Sequence, residues 1–172
     1  MLQMLDDTVA SVRRIASDLR PLMLDDLGLN AAIEWLAREA ARRLAIEVTV
    51  RLGDSDPPLD PQAATAAYRI VQEALTNVAR HARATDVNIE TALQGGEFVL
   101  TIQDNGVGLP GDVTGHDGTL GLVGIRERCL MLGGRMEIAN APGSGARLTV
   151  HLPLLSACDR LTGVVRRATE RA

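Results

Sequence analysis

One predicted helix carries a stripe of polar side chains that could take part in chemistry. Glu73, Asn77 and His81 are spaced by four residues, so a helix places them within roughly 80° of arc, with Arg80 on the same side. The opposite side of this helix is apolar: Val71, Leu75, Val78 and Ala82. The stripe offers a carboxylate, an amide and two basic groups to whatever lies in front of it. By itself, such a stripe is also typical of a solvated helix face.

A carboxylate followed by glycines marks the end of a predicted strand. Asp104 ends the apolar alternation of residues 98–104, and Gly106 and Gly108 follow it, where the backbone could approach a ligand closely. A carboxylate at a strand end can accept a hydrogen bond from an exocyclic amine, which suits the edge of adenine. The same residues also fit a plain Asp-Asn-Gly turn.

Another glycine motif, Gly121-Leu122-Val123-Gly124, opens a predicted helix. The free N–H groups of a first helical turn, together with the positive end of the helix dipole, form a binding site for phosphate. The alternative is that these glycines only mark the start of the helix.

The elements that must position these residues alternate between helical and strand periodicity. Asp60 and Pro61 are an N-cap and a first-turn proline, so a long helix should run from there to about Ala82. Further helices are predicted over residues 33–44 and 122–132, and strands over 46–52, 87–91, 98–104, 136–138 and 148–152. This order predicts an α+β fold, a two-layer α/β sandwich whose mixed sheet is covered on one face by helices.

The remaining segments flank or interrupt this body. Apolar residues from Leu2 to Leu19 follow a heptad seam, which predicts a dimerising helix over residues 1–21 or a terminal helix lying on its own domain. Residues 22–153 should form one catalytic domain that opens with a linker, and residues 154–172 a tail without a clear role. Five glycines in residues 105–120 predict a mobile loop, a candidate lid.

Composition narrows the classes of function. The 172 residues suit one domain, and a net charge of -4 without a basic run argues against nucleic acid as a partner. No apolar run reaches the ~20 residues of a membrane span, so we expect no membrane contact by these residues and a cytoplasmic location. Cys129 and Cys158 form no metal-type cluster and should be reduced thiols.

The motifs, in this order, resemble the GHKL or Bergerat-fold ATPases, the superfamily of histidine kinases, gyrase-type topoisomerases, mismatch-repair ATPases and heat-shock chaperones. Residues 72–82 (QEALTNVARHA) resemble the N-box of the kinase branch related to nitrate sensors and the lipid-desaturase thermosensor. Residues 104–108 (DNGVG) and 121–134 resemble its two glycine boxes. Residues 18–29 resemble the segment joining the dimerisation helices to the ATPase body. Residues 1–21 would then be a truncated second dimerisation helix.

The resemblance implies roles for the residues that match the motifs. Asn77 would be a Mg²⁺ ligand, and Glu73 would accept from metal-bound water or the incoming nucleophile. Arg80 and His81 would neutralise phosphate charge, and Asp104 would accept from the adenine amino group of ATP. The remaining implied nucleotide-binding positions are Gly106, Gly108, Gly121, Leu122 and Gly124.

By the same resemblance, the chain would transfer the γ-phosphoryl group of ATP to a histidine on a dimerisation domain, for relay to a response regulator. The full-length kinase would be a homodimer. The sequence departs from the family at Gly145-Ala146, where a Gly-Thr pair is usual, and none of His81, His116 and His151 resembles the acceptor.

Two other functions remain open. An anti-sigma-type kinase would use the same nucleotide site to phosphorylate a serine, although residues 18–29 favour a dimeric histidine kinase. A pure interaction module would bind without turnover, and the set of Glu73, Asn77 and Asp104 argues against loss of nucleotide binding.

Overall fold

The structure, a computed structural model, describes residues 22–109 and 120–155. The predicted dimerising helix, residues 110–119 of the candidate lid and the tail from residue 156 lie outside the described residues. No helix in the described part of the chain is both long and apolar enough to cross a membrane.

Helices and strands alternate along the described chain. The helices are α1 (Leu22–Asp26), α2 (Gly28–Leu44), α3 (Pro61–Asn77), which continues into a π-helical turn (Val78–Ala82), and α4 (Leu120–Met131). The strands are β1 (Glu47–Arg51), β2 (Asp86–Gln94), β3 (Glu97–Asp104), β4 (Arg135–Asn140) and β5 (Ala146–Pro153).

The five strands form one mixed sheet in the order β1-β2-β3-β5-β4. Strand β1 runs parallel to β2, and the other neighbours are antiparallel. Alternate residues of the central strands are buried in a single core that they share with helices α2, α3 and α4: Phe98, Leu100, Ile102, Leu148, Val150 and Leu152. The predicted two-layer sandwich is confirmed, with helices on one face of the sheet.

Helix α3 starts where its capping residues predict. The Asp60 carboxylate accepts hydrogen bonds from the N–H groups of Gln62 (2.7 Å) and Ala63 (2.8 Å), and Pro61 occupies the first turn. The helical segment ends at Ala82, as predicted, but its last turn is π-helical. A π turn holds more residues than an α turn, so Arg80 and His81 depart from the 100° spacing assumed for the stripe.

The segment predicted as a linker begins as a helix instead. Residues Leu22–Asp26 form α1, and Leu24 is only 7% exposed within the core. Five residues are fewer than two helical turns and too few to show a helical period, which is why periodicity missed this short helix. Helix α4 is described from Leu120, so the glycine motif of residues 121–124, which was predicted to open this helix, lies in its first described turn.

Candidate functional site

Helix α3 presents Glu73 and Asn77 on its front side. Both residues are half-buried, and neither side chain has a hydrogen-bond partner among residues 22–109 and 120–155. The apolar residues predicted for the back of the helix are all buried: Val71, Leu75, Val78 and Ala82. Packing on the core therefore fixes the rotation of the helix and leaves a carboxylate and an amide available in front.

The start of helix α4 lies directly against these two side chains. A Cβ atom on Gly121 would overlap the Glu73 carboxylate and would come within 3.4 Å of the Asn77 amide nitrogen. Only glycine lets the α4 backbone approach so closely. The α4 backbone at Gly121 therefore lies beside an available carboxylate and amide.

Arg80 and His81 lie on the π turn and are exposed. No described residue pairs with either side chain. The sequence contains no lysine, so all 18 of its basic groups other than histidine are arginines. Side-chain cations that contact a bound phosphate would therefore be guanidinium or imidazolium groups. A guanidinium group binds phosphate through directional hydrogen bonds, whereas a lysine ammonium group acts as a compact point charge.

Asp104 lies at the end of β3 and begins a segment that we call the glycine loop, residues 104–109. One carboxylate oxygen, Oδ1, accepts a hydrogen bond from the Gly106 N–H at 2.8 Å, so the side chain does form the local turn that the sequence allows. For the other oxygen, Oδ2, no hydrogen bond to a described residue is found. The turn therefore orients the carboxylate while leaving an acceptor available.

The glycine loop also packs against the end of the π turn. The Val107 N–H donates to the Ala82 carbonyl at 2.8 Å. A Cβ atom on Gly106 would overlap that same carbonyl oxygen. The close contact with Ala82 is therefore enough to require glycine at position 106. The approach of Gly106 to a nucleotide stays a prediction.

Asn105 is a residue that sequence reasoning passed over. Its Oδ1 accepts from the N–H groups of Thr85 (2.9 Å) and Asp86 (3.0 Å), and its Nδ2 donates to the side chains of the same two residues. This network ties the end of β3 to the start of β2. The sequence did contain a signal for this role, because an Asn before Gly at a strand end often bonds to nearby backbone through its side chain.

The turn between β4 and β5 contacts the glycine loop from the other side. Asn140 Oδ1 accepts from the Leu109 N–H at 2.7 Å, and the Ser144 hydroxyl lies 2.7 Å from the carbonyl oxygens of both Asn105 and Gly106. Gly108 has a φ of +77°, and a Cβ there would come within 2.7 Å of Asn140 Oδ1. Sequence reasoning assigned Asn140 and Ser144 no role.

Other predicted positions are less constrained. Leu122 is half-buried against the core, and a Cβ on Gly124 would meet only the Arg128 guanidinium at 3.4 Å. Neither observation tests nucleotide contact. Ala146 pairs with Asn140 across the hairpin and has no hydroxyl to offer.

The donor set suits a hard cation shared with phosphate. No group of three or more His, Cys, Asp or Glu side chains that could hold a metal occurs in the described part of the chain. Magnesium usually takes only one or two protein oxygens and completes its shell with water and phosphate oxygens. The Glu73 carboxylate and the Asn77 amide oxygen fit that requirement, whereas a metal held by protein ligands alone does not fit.

The histidines differ in their surroundings. His81 is exposed, while His151 on β5 lies with its Nδ1 2.9 Å from an Arg135 nitrogen and 3.1 Å from a Glu97 oxygen. His116 lies outside the described residues. The buried Cys129 thiol has a raised pKa because burial disfavours the thiolate, which agrees with its prediction as a structural thiol.

Comparison with protein families matches residues 62–156 to the histidine kinase-, DNA gyrase B- and HSP90-like ATPases. The sensor histidine kinase MctS of Rhizobium johnstonii is 37% identical over 154 residues. That alignment covers 88% of this chain and 33% of MctS, so the chain spans about a third of this relative.

Solved structures that resemble this chain include domains of histidine kinases and an ATP binding domain. The histidine kinase domain of a blue-light activated kinase from Erythrobacter litoralis superposes with a TM-score of 0.63 at 27% identity, covering 73% of this chain and 61% of that one. The ATP binding domain of PrrB from Mycobacterium tuberculosis superposes with a TM-score of 0.57 at 28% identity, covering 74% of this chain and 94% of that domain.

Proposed function

This chain belongs to the family of histidine kinase-, DNA gyrase B- and HSP90-like ATPases, and we propose that it is the ATP-binding catalytic part of a two-component sensor histidine kinase. The observation that carries the proposal is the contact between the start of α4 and the pair formed by Glu73 and Asn77. That contact brings the backbone of the first described turn of α4 beside a carboxylate and an amide, an arrangement that suits the binding of a metal–triphosphate.

Each residue of the polar stripe has a role in this proposal. Asn77 would hold Mg²⁺ through its amide oxygen, and Glu73 would accept a hydrogen bond from a nearby water or from the incoming nucleophile. A bound Mg²⁺ would offset the negative charge of the phosphate oxygens. Arg80, His81 and the N–H groups at Gly121 bind the same oxygens, so catalysis comes from positioning and charge neutralisation.

Base recognition falls to the glycine loop. The Asp104 oxygen left available by the local turn accepts from the exocyclic amine of adenine, and the loop backbone lies beside the base. A base that presents a carbonyl at that position would leave the carboxylate unpaired, so ATP is selected over GTP.

The phosphoryl acceptor is a histidine of a dimerisation domain, either of the same kinase or of a partner chain. In the transfer, the bond between the γ-phosphorus and the ADP oxygen breaks, and a phosphorus–nitrogen bond to the imidazole forms. A response regulator then receives the phosphoryl group. We assign the ATP-binding domain to residues 22–153 and a contribution to dimerisation to residues 1–21, and we leave residues 154–172 without a role.

Labelling with γ-labelled ATP tests the proposal. The chain alone should acquire almost no label, because an aligned acceptor can be worth about 7–11 kcal/mol of the barrier. Addition of a dimerisation domain carrying the acceptor helix should give acid-labile labelling of that domain, and Asn77→Ala should abolish it through loss of the metal ligand.

The matched control is Gln94→Ala, since Gln94 is exposed and pairs with Glu97 at the end of β2 opposite to Asp104, and it should label as wild type does. Strong acid-labile labelling of the chain alone would contradict the assignment of the acceptor to another domain. Acid-stable labelling of a serine would instead identify a kinase of the anti-sigma type.

A further inference from the structure

We propose that Asn140 and Ser144, at the two ends of the turn between β4 and β5, are positioning residues that determine how strongly the glycine loop discriminates adenine from other bases. The inference rests on the proposed function, because it concerns the loop that carries Asp104. Neither side chain would touch the nucleotide in this scheme. Both would act through the backbone of residues 104–109.

Ser144 holds the middle of the glycine loop. Its hydroxyl lies 2.7 Å from the carbonyl oxygens of Asn105 and Gly106 and can donate its single hydrogen to either. The hairpin backbone is fixed in turn, since the Ala141 N–H donates to the Gly145 carbonyl at 2.8 Å. Ser144 can therefore anchor either the Asn105–Gly106 or the Gly106–Val107 peptide group.

Asn140 holds the end of the same loop. Its Oδ1 accepts from the Leu109 N–H at 2.7 Å, next to Gly108 with its φ of +77°. A glycine in this conformation is free to move unless a neighbour fixes it. The bond from Asn140 supplies that constraint at the far end of the loop, opposite the contact that Val107 makes with the π turn.

These contacts reach the Asp104 carboxylate through one hydrogen bond. The Gly106 N–H holds Asp104 Oδ1 at 2.8 Å, so the orientation of the peptide that Ser144 anchors sets the direction of the remaining oxygen. Gly145 adds to this, because a Cβ atom there would overlap the Asp104 carbonyl. Displacement of the hairpin would rotate the carboxylate away from a base that lies in a fixed position.

Ala146 makes this indirect support more important. The position carries no hydroxyl that could assist Asp104 directly, and it is paired with Asn140 in the hairpin. Among the described residues, Asn140 and Ser144 are the side chains of the β4–β5 hairpin that bond to the glycine loop. Selectivity for the base should therefore depend on both side chains.

Binding of Mg-ATP, Mg-GTP and inorganic tripolyphosphate to the chain, measured by titration calorimetry, tests the inference. Asn140→Ala and Ser144→Ala should each weaken ATP binding roughly fivefold to tenfold, about the effect of one net hydrogen bond. Binding of GTP and tripolyphosphate should be unchanged, because the phosphate site does not involve the hairpin. Asn140→Asp and Ser144→Thr keep the acceptor and the hydroxyl and should retain most of the selectivity.

The outcomes separate this inference from the proposed function. Wild-type chain that binds ATP no better than GTP would refute the base contact of Asp104, and the inference with it. Wild-type selectivity that persists in Asn140→Ala and Ser144→Ala would refute the inference alone. A parallel loss of ATP and tripolyphosphate binding would also refute it, since that result indicates general damage to the fold. Ser55→Ala, an exposed serine distant in the sequence from both glycine boxes, should match wild type.

Discussion

At the scale of single residues, the glycines near the site were predicted for their closeness to a ligand, but the structure gives several of them a role within the protein. Gly106 permits contact with Ala82, and Gly121 permits contact with Glu73. Sequence shows where backbone must approach something, because only glycine avoids the steric conflict. It does not show whether the neighbour is a ligand or another part of the chain.

Gly106→Ala should therefore destabilise the protein. The new methyl group would overlap the Ala82 carbonyl, and relief of that overlap must separate the glycine loop from the π turn. We expect a loss of about 1–3 kcal/mol in the free energy of unfolding, as overpacking usually produces. Urea titration of both proteins measures this difference.

Gly53→Ala is the matched control for that prediction. A Cβ atom at Gly53 would be 3.7 Å from its nearest neighbour, the Ser55 carbonyl, and the backbone there has no positive φ. Its stability should stay within about 0.5 kcal/mol of wild type or rise slightly. Equal stability of the two variants would mean that the loop does not need its close approach to the helix.

At the scale of elements, helix α3 was predictable because three independent signals agree on it. The cap at Asp60, the proline after it and the apolar back of the helix all point to the same start and rotation. The π turn was not predictable, since the 3.6-residue period of residues 61–77 continues acceptably into residues 78–82. The π turn ends at Ala82, whose carbonyl accepts a hydrogen bond from the Val107 N–H of the glycine loop.

Asp60→Ala should weaken helix α3 at its start. The variant loses the two hydrogen bonds to the N–H groups of Gln62 and Ala63, which then have no partner within the helix. The free energy of unfolding should fall by about 1 kcal/mol, and Asp60→Ser should recover most of it. Thermal and urea unfolding followed by circular dichroism measure both variants.

Asp54→Ala serves as the control for the cap. Asp54 is exposed and makes no hydrogen bond or ion pair with a described residue, so its loss should change stability by less than about 0.5 kcal/mol. A similar cost for Asp54→Ala and Asp60→Ala would contradict a specific role of the cap.

At the scale of the whole molecule, the layer arrangement followed from the order of elements, whereas the joining of distant segments did not. Local periods predict the strands and helices, and a mixed sheet with helices on one face accommodates them. The contact of Gly121 with Glu73, and of Ser144 with Asn105, depends on how the layers stack. The family resemblance predicts that Gly121 and Glu73 belong to one nucleotide site. It does not predict the contact of Ser144 with Asn105.

The open face of the sheet is bridged by charged side chains across neighbouring strands. Arg51 pairs with Glu90 at 2.7 Å between β1 and β2. Arg135 of β4 pairs with Glu97 of β3, and His151 of the intervening strand lies 3.1 Å from the same carboxylate. These pairs add side-chain links between strands to the backbone ladders and the core.

The Glu97 pair should make global stability depend on pH in the acid range. The hydrogen bond from Arg135 holds the pKa of the Glu97 carboxyl below its ordinary value of 4.5. A carboxyl whose pKa is lower in the folded state than in the unfolded state stabilises the protein at a pH above its unfolded-state pKa. This contribution disappears as the pH falls through the folded-state pKa. Stability attributable to Glu97 should therefore be complete above about pH 5 and decline below 4.5.

Comparison of wild type with Glu97→Gln by urea unfolding between pH 3 and 7 tests this dependence. The difference in unfolding midpoint between the two proteins should be largest near neutral pH. It should shrink toward zero in acid, because the Glu97 carboxylate of the wild type is protonated there and, like glutamine, carries no charge. Glu47→Gln, on the exposed side of β1 and without an ion pair to a described residue, should show no such trend. A difference between wild type and Glu97→Gln that stays constant from pH 7 to 3 would mean that Glu97 acts through packing or a neutral hydrogen bond. The charge pairing with Arg135 would then contribute nothing to the cohesion of β3, β5 and β4.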